Sequence, residues 1–76
     1  MNKQDRKQIN EWYDQIEEIK CAMEDMRDNE EEKLSNLPEG IQESERGEAM
    51  QSGIDQLDYA LENLQDCLDN LEEIRE

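Results

Sequence analysis

Apolar residues recur along this chain every three or four positions, in two blocks separated by a break. In the first block Ile9, Ile16 and Met23 repeat every seven residues, interleaved with Trp12, Ile19 and Met26. These fill the a and d positions of a heptad, so the spacing predicts a helix over about residues 3–34 with one apolar stripe. Glu30 and Lys33 fall where the next a and d residues belong, and the stripe stops there. The second block is an internal repeat, with residues 54–60, 61–67 and 68–74 as three copies of one heptad. Apolar residues occupy a and d in every copy, and Ala60, Cys67 and Ile74 add the g position. That stripe is wider than one antiparallel neighbour covers, which predicts a second packing partner.

Extended backwards, the second pattern takes in Met50 and predicts a helix over about residues 45–75. Ser44 stands as its N-cap, and Glu45 and Glu48 complement the helix dipole. Gly47 and Gly53 each cost such a helix about 1 kcal/mol relative to Ala, so a close helix crossing is expected at both. In the connector, residues 35–44, Pro38 cannot continue the first helix and Gly40 adds backbone freedom. A single helical turn from Pro38 to Gln42 is expected, with Leu37 and Ile41 folded inward. The fold class is all-α: one domain, residues 1–76, forming an antiparallel, coiled-coil-like helical hairpin that dimerises into a four-helix bundle. The dimer contact is expected through Ala60, Cys67 and Ile74 beside Leu64 and Leu71. Matching a and d layers across the turn places Met26 near Ile54, Ile19 near Leu61 and Trp12 near Leu68. Cys21 then lies near Tyr59 and far from Cys67, too far for an intramolecular disulfide.

Charge turns this generic hairpin into an acidic one. The 76 residues hold 23 Asp and Glu against 8 Lys and Arg, a net charge of -15. Residues 1–34 carry 6 basic and 11 acidic groups, whereas residues 35–76 carry 2 basic and 12 acidic. Such a chain cannot neutralise phosphates, so direct nucleic-acid binding is excluded. No apolar run exceeds three residues, which predicts no membrane segment, no export signal and a cytoplasmic protein with free thiols.

Candidate chemistry is sparse. With no His, the common zinc sites and His-based acid–base catalysis are missing. The acidic run at residues 24–32 contains Met26 and Arg27 and lacks the central Gly of a calcium loop, so it reads as a solvated helix face. No nucleophile stands beside a recognisable base, and the glycines are isolated. No catalytic residue, metal or cofactor is expected. Trp12 lies on the d stripe and reads as core; Tyr13, on the e flank, is a candidate aromatic contact for a partner. The second helix reads as an anionic rod whose acidic face is Asp55, Asp58, Glu62, Asp66, Asp69, Glu72 and Glu73.

The segment Asn36-Leu-Pro-Glu-Gly-Ile-Gln-Glu-Ser-Glu-Arg-Gly-Glu-Ala-Met50, followed by IDQLDYALENLQDCLDNLEEI, resembles a group of small acidic helical proteins encoded by phages and prophages of Gram-positive bacteria. The resemblance covers about residues 30–74 and is most specific in the connector, where Ile41 replaces the group's usual Leu. It implies a phage context, in which small acidic proteins act as inhibitors of host defence, including nucleic-acid mimics and CRISPR inhibitors. It also marks Ser44 and Arg46 as a possible connector site.

The leading expectation is therefore a non-enzymatic, homodimeric inhibitor that occupies the groove of a basic nucleic-acid-binding protein of the host, in the host cytoplasm. Two alternatives stand beside it. One is a dimer that sequesters a small nucleotide ligand through Ser44 and Arg46. The other is a structural coiled-coil adaptor whose apolar seam binds another helix.

Overall fold

The computed structural model describes residues 1–75. Three helices follow in order: α1 (Lys3–Ser35), α2 (Glu39–Gln42) and α3 (Glu45–Arg75). A reciprocal capping box starts α1: the Asp5 N–H donates to the Asn2 side chain at 2.8 Å, and the Asn2 N–H donates back to Asp5 at 3.4 Å. At its other end, the Gln42 side-chain amide donates to the carbonyls of Ser35 at 3.3 Å and Leu37 at 2.7 Å. One side chain from α2 thus satisfies carbonyls that the end of α1 leaves without partners.

The long helices α1 and α3 pack side by side into a rod with extents of 58 × 14 × 13 Å. Two contacts give their direction and register. Lys20 Nζ donates to Gln65 Oε1 at 2.7 Å, and Arg27 to Asp58 Oδ1 at 2.9 Å. Seven residues forward on α1 are seven residues back on α3, so the helices are antiparallel. The register differs from the expected layers: Arg27, not Ala22, faces Asp58. The first turn of α3 therefore projects past the end of α1, and α2 covers it. Gly47 is buried there, and a β-carbon on it would collide with the Gln42 carbonyl. Gly53 has nothing within 4 Å of its absent side chain, so the expected close crossing exists at Gly47 only.

The core is one line of residues: Ile9 on α1, with Ile54, Leu61 and Leu68 on α3, are 1–7% exposed. Beside this line α1 does not present its d positions. Trp12, Ile19 and Met26 are 48%, 53% and 59% exposed, which corrects the expectation that Trp12 is core. Instead α1 turns its e column inward, so Tyr13, Lys20, Arg27 and Leu34 are half-buried. The long stems of Lys20 and Arg27 can cover apolar surface while their charged ends reach α3. Leu37 is half-buried beneath the turn, whereas Ile41 stays 39% exposed.

Candidate functional site

At 3.6 residues per turn, the heptad letters map onto directions around α3: e, b and f lie on one side of the a line, d, g and c on the other. All seven acids proposed from the sequence fall on the first side. Asp55, Glu62 and Asp69 occupy b, Asp66 and Glu73 occupy f, and Asp58 and Glu72 occupy e. The seven span about 27 Å, roughly one charge every 4 Å, against one phosphate per 3.4 Å along a DNA strand.

The structure divides these seven into two sets. Asp58 is bridged by Arg27 at 2.9 Å and Glu72 by Arg75 at 3.1 Å, so the e column is neutralised inside the hairpin. The hydrogen bonds it donates to the Asp58 and Asp28 carboxylates hold the Arg27 guanidinium above its ordinary pKa. The other five are exposed, and among the described residues none takes part in an ion pair. Gln51 and Gln65 donate to Asp55 at 3.0 Å and to Asp69 at 2.9 Å, which orients those carboxylates without cancelling their charge.

Tyr13 is not a free contact. It is half-buried in the seam, with the Arg75 guanidinium 3.9 Å from its ring centroid. Partial desolvation first, then the carboxylates of Glu17 and Glu72, push the phenol above its ordinary pKa, while Arg75 pulls the other way. The exposed aromatic residue at this end is its neighbour Trp12.

Ser44 and Arg46 are not gathered into an anion cradle. The Ser44 hydroxyl donates to the Ile41 carbonyl, and its backbone carbonyl accepts from Glu48 at 2.9 Å, so the backbone makes the first bond of α3. Arg46 is exposed on the first turn, and residues two apart on a helix face different ways. Cys21 and Cys67 are both free thiols, the first exposed and the second half-buried. Among the described residues, no group of three or more Cys, Asp or Glu is placed to hold a metal ion, and no helix is long and apolar enough to cross a membrane.

Sequence reasoning missed one arrangement. Lys3, Arg6 and Lys7 meet Arg75 around a shallow depression at the open end of the hairpin, which gathers four of the 8 cations at one tip of an acidic rod. The signal was the basic cluster at the start of α1, read with the last residue of the repeat. Comparison with known proteins finds no matching family model, no matching curated protein and no matching solved structure.

Proposed function

We propose that this chain is a non-enzymatic, phage-type interaction protein that occupies the groove of a basic nucleic-acid-binding host protein, as a CRISPR inhibitor acting by nucleic-acid mimicry would. Its working form is a cytoplasmic homodimer in which two hairpins close a four-helix bundle. The observation that carries the reading is the exposed, unpaired set Asp55, Glu62, Asp66, Asp69 and Glu73 along one side of a straight helix. A fixed row of carboxylates on a stiff rod presents charge without first having to order it, and it attracts a basic groove from a distance. Asp58 and Glu72, bound to Arg27 and Arg75, contribute rigidity rather than contact.

The test is capture on the immobilised protein from a bacterial lysate, at about 50 mM salt and again at about 500 mM. A basic nucleic-acid-binding protein should be retained at low salt and released at high salt. A variant with amides at the five exposed positions should retain none of it. Equal capture by that variant, or capture unchanged by salt, contradicts the reading.

A further inference from the structure

On the side of the hairpin opposite the acids, the d and g columns carry no charge. From Gln8 to Asn29 on α1 and from Met50 to Ile74 on α3, every d and g position is uncharged. At the chain's charged fraction of 41%, about six of these fifteen positions would carry a charge, and charge depletion is the compositional mark of an interface core. The face is also apolar: Trp12, Ile19, Met26 and Ile74 are 43–59% exposed, beside half-buried Leu57, Leu64 and Leu71. Two helices about 20 Å wide over about 32 Å project roughly 640 Å² per copy, which puts two copies within the range of a stable interface.

The columns specify the occupant. Antiparallel helices meet along e–e and g–g edges in alternation. Inside the hairpin the edge is e–e, as the Arg27–Asp58 and Lys20–Gln65 contacts show. The g columns remain, and both are uncharged: Gln8, Gln15, Ala22 and Asn29 on α1, Gly53, Ala60, Cys67 and Ile74 on α3.

The c columns specify the symmetry. On α1 the c column holds the acids Glu11, Glu18 and Asp25; on α3 the c column holds the amides Gln56, Asn63 and Asn70. If α1 lay on the partner's α1, acids would meet acids. If α1 lies on the partner's α3, that acidic column faces a column of amides that carries no acid. We propose that a second copy of this chain covers the d/g face about a two-fold axis parallel to the helices. Each α1 then packs against the partner's α3, every neighbour in the bundle is antiparallel, and the five unpaired acids stay on the outside. This rests on the homodimeric reading above and adds its geometry.

The experiment uses full-length chains with Cys21→Ser and Cys67→Ser, one carrying A22C and the other A60C. The two are mixed, equilibrated and treated with a short bifunctional maleimide, while light scattering measures the mass. Circular dichroism of each variant confirms that its helix content matches the wild type. The expected result is a mass of twice 9.1 kDa and a covalent A22C–A60C heterodimer that neither variant forms alone. A doubled mass without that cross-link overturns the arrangement and leaves the homodimer standing. A monomer mass up to millimolar concentration overturns both.

Discussion

The two flanks of the hairpin solve the same packing problem with opposite chemistry. On the e flank, Lys20, Arg27 and Tyr13 reach across to Gln65, Asp58 and Arg75, so polar tips close the edge and fix the register. On the d flank, Trp12, Ile19 and Met26 lie beside Leu57, Leu64 and Leu71 and no side chain closes over them. Directional contacts specify one height for the two helices, while apolar contacts supply area without direction. An edge that is finished within the chain can be polar, whereas an edge left for another molecule must keep its apolar area exposed. In the proposed dimer, the difference between the flanks is thus a division between internal specification and external binding.

The largest effect should come from the line both flanks share. Leu68 is 2% exposed, and Leu68→Ala should cost about 2–5 kcal/mol. In so thin a core that loss should appear as collapsed helix content at room temperature by circular dichroism. Ile19→Glu, on the open flank, separates the functions of the two edges. It should leave the helices intact at micromolar concentration but halve the mass seen by light scattering.

The turn offers a pair of opposite signs. Gly47→Ala forces a β-carbon onto the Gln42 carbonyl and should destabilise by about 1–3 kcal/mol, read from urea unfolding. Gly53→Ala enters open space within the hairpin and should stabilise by up to about 1 kcal/mol through helix propensity.

These variants also mark how far the sequence could be read. The heptads, the positions of the long helices and the break at Pro38 follow from spacing alone, because periodicity and proline act locally. The identity of the seam does not. Trp12, Ile19 and Met26 read as the inner edge by hydropathy, yet Tyr13, Lys20 and Arg27 take that place. Their side chains combine an apolar body with an end that meets Arg75, Gln65 and Asp58, a match visible only once the register is known. The same holds for the acidic face. The sequence lists seven carboxylates alike, and only the register shows that Arg27 and Arg75 withdraw two of them.

Smaller effects sharpen the polar edge. The Arg27–Asp58 bridge is partly exposed, so a double-mutant cycle with R27A and D58A should give a small coupling that weakens with salt. The smallest effect is at Tyr13, whose pKa is raised in the folded state. A raised value means the neutral phenol is favoured by folding. Its contribution is therefore complete below the ordinary value of 10.0 and is lost as pH rises through the higher folded one. Ultraviolet titration should show one tyrosine ionising above 10, and Glu72→Gln should move it back down.

The open flank is tested most directly by its own fluorophore. Trp12 is the chain's single tryptophan and is 48% exposed in the isolated hairpin. If a second copy covers the d/g face, its emission at millimolar concentration should lie well to the blue of a solvated indole. Dilution or Ile19→Glu should then move it to the red. An emission maximum typical of a solvated indole at every concentration, identical in wild type and Ile19→Glu, would contradict the account.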